Sequence, residues 1–98
     1  MVKRGYIVLF LLILVSLAAA QTYNKIGDKI TVGDHTVTVI DIASLDVLVD
    51  VDGKRGEVFL NSTKLVNGVN VTVKDIFYHS SPSSRLTWLE LVNIYSLK

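Results

Sequence analysis

Polar and apolar residues alternate along most of the chain after residue 28, and β-branched residues occupy many of the apolar positions. A period of two with Val, Ile and Thr dominant predicts successive strands rather than helices. The predicted strands are Lys29–Val32, Thr36–Ile42, Asp46–Asp52, Glu57–Leu60, Val69–Tyr78 and Leu86–Tyr95. Their predicted connections include the pairs Gly33-Asp34 and Asn67-Gly68, and Asp52-Gly53 followed by a Lys54-Arg55 turn.

The chain contains an internal repeat, in which Lys29–Ile42 parallels Lys64–Ile76. Each copy has a strand, a tight turn and the motif Val-Thr-Val-x-Asp-Ile. The apolar phase slips by one residue within this motif, which predicts a β-bulge at Asp41 and at Asp75. We expect both carboxylates to accept backbone N–H groups at the bulges rather than to form a catalytic pair. The predicted fold class is all-β: a small β-sandwich or barrel of about six strands, in which two duplicated three-stranded units would pack face to face.

The N-terminus has the order of a secretory signal: the basic pair Lys3-Arg4, the apolar run Tyr6–Leu17, and small residues up to Ala20. This apolar stretch is shorter than the roughly 20 residues that span a bilayer as a helix. We therefore expect residues 1–20 to be a signal helix that is cleaved, and residues 21–98 to form one secreted or cell-surface domain. An uncleaved membrane anchor and a pilin-like filament helix remain alternatives. Membrane contact is expected only through residues 1–20, if they are kept.

Composition excludes several classes of function. Without Lys3 and Arg4 the chain keeps eight of its ten basic side chains against nine acidic ones, a net charge of −1. Such a balance argues against nucleic acid as a partner, because nucleic-acid binders carry basic surfaces. The sequence has no cysteine for a disulfide or a thiolate site, and neither Gly-x-Ser-x-Gly nor a Gly-rich phosphate loop. His35 and His79 lack zinc-site spacing. The sequence thus predicts no enzyme and no obligatory cofactor.

Two groups of residues are candidate sites on the surface. Asp46, Asp50 and Asp52 alternate with valines, so they share one strand face, where hard oxygen ligands could bind calcium. The alternative is a solvated acidic face that ends in an Asp-Gly turn. Asn61 and Asn70 each begin a glycosylation sequon, and Asn61 lies in a predicted loop.

The C-terminal segment is apolar on both sides when it is drawn as a strand. Leu86, Trp88, Val92 and Ile94 fall on one face, and Leu89, Leu91, Tyr95 and Leu97 on the other. Such a strand is either central and buried on both faces, or it has one face in contact with a partner. Candidate interface residues are therefore Trp88, Leu89, Leu91 and Tyr95. A helix remains an alternative, because apolar residues of this segment also match a helical stripe. Trp88 is expected in the core, although Trp88, Tyr78 and Tyr95 could instead stack on a sugar.

The segments Ile26–Val32, Thr36–Ile42 and Val49–Gly53 resemble β-rich domains of archaeal cell-surface and S-layer-type proteins. That resemblance implies an extracellular structural or adhesive role rather than chemistry. We therefore expect a non-enzymatic module of the cell surface that self-associates or docks onto another envelope protein. The alternative expectations are an extracellular domain that binds carbohydrate or calcium, and a pilin-like filament subunit.

Overall fold

The computed structural model describes residues 23–94, so the predicted signal helix and Tyr95 lie outside the described residues. The described part of the chain is all-β, with one short 3₁₀ turn at Pro82–Ser84. Its strands are β1 (Tyr23–Asn24), β2 (Lys29–Val32), β3 (His35–Ile42), β4 (Asp46–Val51), β5 (Lys54–Phe59), β6 (Thr63–Val66), β7 (Val69–Phe77) and β8 (Leu86–Asn93).

The strands form two four-stranded antiparallel sheets. The first sheet has the order β2-β3-β4-β5, and the second has the order β1-β8-β7-β6. The two sheets enclose one apolar core as an open β-sandwich, so the barrel alternative is not realised. Both predicted three-stranded meanders are present, each as part of a four-stranded sheet.

The observed strands differ from the predicted ones mainly at the sheet edges. The listed strand ranges lacked β1 and β6, although the repeat implied a strand before the Asn67-Gly68 turn, where β6 lies; the described chain has eight strands where about six were expected. Strand β5 begins at Lys54, which places the Lys54-Arg55 pair inside the strand and not in the turn. These short edge segments carry too few apolar residues to show a clear period. Leu86–Asn93 is a strand, so the helical alternative for this part of the segment is wrong.

Both predicted β-bulges are present. The register of β3 against β4 shifts between Val39 and Asp41, and that of β7 against β8 shifts between Val73 and Asp75. At each shift the aspartate carboxylate accepts the N–H of the next residue in the chain, at 2.9 Å in both cases. The predicted role of both aspartates as bulge caps is therefore confirmed.

The two halves of the chain form equivalent backbone hydrogen bonds at the points where the chain crosses from one sheet to the other. After β1, Gly27 N–H donates to Val39 O at 2.7 Å, and after β5, Asn61 N–H donates to Val73 O at 2.8 Å. Both donors have positive φ angles, 95° and 64°. Strands β1 and β5 are thus equivalent: each lies beside the last strand of one meander and then crosses to begin the other.

The core consists almost entirely of β-branched side chains from the inner faces of the two sheets. Within residues 23–94, ten of the twelve buried apolar residues are valines, which suit a pleated, closely packed surface. The buried apolar residues are Val37, Val39, Ile42, Val47, Val49, Val51, Val58, Val66, Val69, Val71, Val73 and Leu89. Trp88 is not among them, so the expectation that it packs in the core is wrong.

Candidate functional site

The inner and outer faces of β8 are settled by packing against the first sheet. Thr87 is fully buried and Leu89 is 8% exposed, so both point into the core. Leu91 is half-buried and packs against the same core. Trp88 therefore lies on the outer face of the second sheet. Of the predicted interface residues, Leu89 and Leu91 belong to the core side, Trp88 lies outside it, and Tyr95 is outside the described residues.

An aromatic face lies on the outside of the second sheet, formed by Tyr23, Phe77, Leu86 and Trp88. Tyr23 is opposite Trp88 across the β1–β8 pairing, and Phe77 is opposite Leu86 across the β7–β8 pairing. Tyr23 and Phe77 are 48% and 59% exposed, whereas Leu86 and Trp88 are half-buried. The four side chains therefore form a contiguous apolar surface at the end of the sandwich where β8 begins.

Asp75 forms a hydrogen bond with Tyr23 on this face. Tyr23 Oη donates to Asp75 Oδ2 at 2.8 Å, and this hydrogen bond to a carboxylate raises the pKa of the Tyr23 hydroxyl above its usual value. The rings of Tyr23 and Trp88 are 6.2 Å apart and tilted by 54°, a favourable arrangement for an aromatic pair. Trp88 Nε1 is buried and has no hydrogen-bond partner among the described residues.

The first sheet provides an internal comparison for the aromatic face. The row Asp75, Trp88 and Tyr23 across the second sheet corresponds to a row across the first sheet that contains Asp41, Leu48 and Glu57. The bulge aspartate is the same in both rows, but a leucine and a glutamate replace the two aromatic residues. The equivalent row of the first sheet is therefore less aromatic than that of the second sheet.

The loop that joins β7 to β8 is held in place by Arg85. Its guanidinium donates to His79 O at 2.6 Å and to Ile42 O at 3.1 Å, which ties this loop to the end of β3. It also donates to Tyr78 Oη and lies over the Tyr78 ring, 4.3 Å from the centroid. Because one face of the Tyr78 ring is covered in this way, only its other face is available for the predicted sugar stacking.

The three carboxylates of the predicted calcium site have separate partners. Asp50 Oδ1 accepts Gly53 N–H at 2.8 Å, as part of the β4–β5 turn. Asp52 Oδ1 accepts Thr36 N–H at 2.9 Å, and its Oδ2 lies 2.5 Å from His35 Nδ1. These two contacts lower the pKa of the Asp52 carboxyl.

Asp46 is at the opposite end of β4, where a hydrogen bond with Glu57 raises the pKa of the Glu57 carboxyl. Within residues 23–94, no three His, Asp or Glu side chains are grouped closely enough to hold a metal ion. Calcium binding by Asp46, Asp50 and Asp52 remains a prediction that this geometry does not favour.

The two sequons have different structural settings. Asn61 is exposed and lies in the crossover after β5, with a φ angle of 64°. Asn70 is half-buried in the central strand β7, opposite Leu65 and Val92. Asn61 is thus the more accessible acceptor in the folded chain.

Sequence reasoning missed the contribution of Tyr23 and Phe77 to the aromatic face. Tyr23 lies in what was expected to be an entry segment, and its strand is only two residues long. No local pattern places it beside Trp88, because that pairing joins residues far apart in the chain.

Comparisons with protein-family models, with curated proteins and with solved structures give no significant match to this chain. In the described range, no helix has the length and apolar character needed to cross a membrane.

Proposed function

We propose that this chain is an exported, non-enzymatic structural or interaction module of the cell surface, which self-associates or docks onto another envelope protein. The observation that carries the proposal is the aromatic face. Its Trp88 and Tyr23 stand where the equivalent row of the first sheet has Leu48 and Glu57. Exposed apolar and aromatic surface is typical of interaction sites.

The acidic residues support a non-catalytic role. Asp41 and Asp75 occupy different sheets, and each carboxylate accepts the N–H of the next residue at its bulge. Asp75 also accepts the hydroxyl of Tyr23. The bulge-capping role of both side chains therefore accounts for the presence of an aspartate at the same position of each half. The proposed location outside the cell rests on the signal-like order of residues 1–20 and on the resemblance to archaeal surface proteins.

Protease treatment of intact native cells, followed by fractionation, tests this proposal. We expect the wild-type protein in the envelope fraction and accessible to the protease. The double variant Tyr23→Ser/Phe77→Ser should be released into the medium, because it loses the exposed part of the aromatic face. Leu45→Ser is the matched control, since Leu45 is 66% exposed but lies in the β3–β4 connection. Protection of the wild type inside cells, or retention of the double variant, would contradict the proposal.

A second candidate function is carbohydrate binding on the same face. Tyr23 and Phe77 offer exposed rings, and the Asp75 carboxylate lies beside them as a hydrogen-bond acceptor. Sugar recognition combines an aromatic platform with such polar groups. A glycan array probed with the wild type and with Tyr23→Ser/Phe77→Ser tests this candidate, and an array without hits eliminates it. Thermal melts with calcium and with chelator test the metal prediction, because a ligand that binds only the folded state raises its stability.

A further inference from the structure

The chain turns sharply after β5, at Phe59–Ser62. Ser62 N–H donates to Phe59 O at 3.0 Å, the hydrogen bond that closes a four-residue β-turn. Asn61 is the third residue of this turn, and its φ angle of 64° lies in the left-handed region, where asparagine is enriched. Asn61 N–H also donates to Val73 O at 2.8 Å, which fixes the turn to β7. The acceptor residue of the first sequon is therefore held at a defined place on the surface.

Asn61 and Phe59 are both exposed at this turn. The side-chain amide of Asn61 forms no hydrogen bond with another of residues 23–94, so it is open to modification. Phe59 follows the buried Val58 and therefore lies on the outer face of the first sheet, where it is 55% exposed. An exposed aromatic ring two residues from the acceptor offers an attached sugar an apolar surface on which to pack.

The second sequon has a less suitable setting. Asn70 is half-buried in β7, which has a paired strand on each side, and it lies opposite Leu65 in β6 and Val92 in β8. A sugar on its amide nitrogen would contact or displace these two apolar side chains. The structure thus favours Asn61 over Asn70 as the acceptor.

We propose that Asn61 carries an N-linked glycan whose first sugar packs on the ring of Phe59. The co-substrate is an oligosaccharide that is linked through phosphate to a lipid. In the transfer, Asn61 Nδ2 loses one proton and forms a C–N bond with the anomeric carbon of the first sugar. The bond from that carbon to the phosphate oxygen breaks, and the lipid phosphate leaves with the electron pair. The inference rests on the proposed export, because sequons are used in secreted chains.

The intact mass of the protein purified after export from native cells tests the site. We expect the wild type to exceed the polypeptide mass by that of a glycan, Asn61→Asp to lose this excess, and Asn70→Asp to keep it. The two variants are matched, because each removes one sequon by the same change, and aspartate tolerates a positive φ angle. If Asn61→Asp fails to fold, Thr63→Val should lose the glycan and Thr63→Ser, which keeps the sequon, should retain it. A wild type without excess mass, or an excess that Asn61→Asp leaves unchanged, would overturn the proposal.

Thermal melts test the contact with Phe59. The glycosylated wild type should melt about 4 °C or more above Asn61→Asp, and in a Phe59→Ser background this difference should disappear. Phe77→Ser is the matched control, because Phe77 is 59% exposed but lies on the aromatic face, and it should leave the difference unchanged. A difference that persists in Phe59→Ser would overturn the packing. An exported, envelope-bound protein without a glycan would refute this inference alone, whereas a chain protected inside cells would contradict the proposed function as well.

Discussion

Gly56 provides the most direct test of how tightly the two sheets pack. It is buried in β5 and faces the core opposite Val49. A Cβ atom at this position would lie 2.6 Å from Val66 Cγ2 and 3.3 Å from Val66 Cγ1. Val66 is 3% exposed, and its branched side chain has few alternative rotamers, so it cannot move aside freely. Gly56→Ala should therefore force β5 and β6 apart at the edge of the sandwich.

The expected magnitude combines two opposing effects. Overpacking a well-packed core costs about 1–3 kcal/mol. Replacing a strand glycine by alanine returns about 0.5–1 kcal/mol, because the unfolded chain loses conformational freedom. We therefore expect Gly56→Ala to lower the free energy of unfolding by about 1–2 kcal/mol. For a domain of this size, each kcal/mol corresponds to a fall in Tm of about 4–8 °C.

A double-mutant cycle with Val66→Ala identifies the cause. Val66→Ala removes both Cγ atoms that the new methyl group would meet, and by itself it leaves a cavity that costs roughly 2 kcal/mol. The double variant should lose less than the sum of the two single variants, by about 1 kcal/mol or more, in urea unfolding. Gly53→Ala is the control: no atom lies within 4 Å of its added Cβ, and its strain comes only from a φ of 91°. Strict additivity of Gly56→Ala and Val66→Ala would refute the steric reasoning.

Three further predictions concern the titration of Asp52 and Tyr23 and the indole of Trp88. The contacts with Thr36 and His35 lower the pKa of the Asp52 carboxyl in the folded state, so the stability they add is present above the unfolded-state pKa and is lost as the pH falls through the folded-state pKa. Asp52→Asn should therefore reduce the loss of stability that urea unfolding measures between pH 6 and pH 2. Because Asp75 raises the folded-state pKa of Tyr23, that stabilisation is complete below about pH 10 and is lost as pH rises through the folded value. Tyr23→Phe should abolish this alkaline loss in thermal melts. Trp88→Phe should change the free energy of unfolding by less than about 1 kcal/mol, because it removes a buried N–H that has no hydrogen-bond partner among residues 23–94. A loss of several kcal/mol in urea unfolding would contradict this.

Local patterns in the sequence determined the features that depend on neighbouring residues. The one-residue slip of the apolar phase located both bulges, because each residue shifts the side chain to the other face of a strand. The pairs Gly33-Asp34 and Asn67-Gly68 marked two hairpin turns, and Gly33, Asn67 and Gly68 have positive φ angles there. Bulges and turns depend on the backbone geometry of only a few neighbouring residues, so residue type and spacing are enough to predict them.

Only the tertiary structure decided which face of β8 is inside. Leu86, Trp88 and Val92 make one face as apolar as the face of Leu89 and Leu91, so a period of two does not distinguish them. The choice follows from packing, because Leu89 completes a core that the valines of the first sheet begin. The position of β1 in the second sheet is equally non-local. Its two residues are too few to show a periodic pattern, and they pair with Trp88 and Thr87, which lie more than sixty residues later in the chain. The sequence therefore determined strands, bulges and turns, while long-range packing assembled the aromatic face.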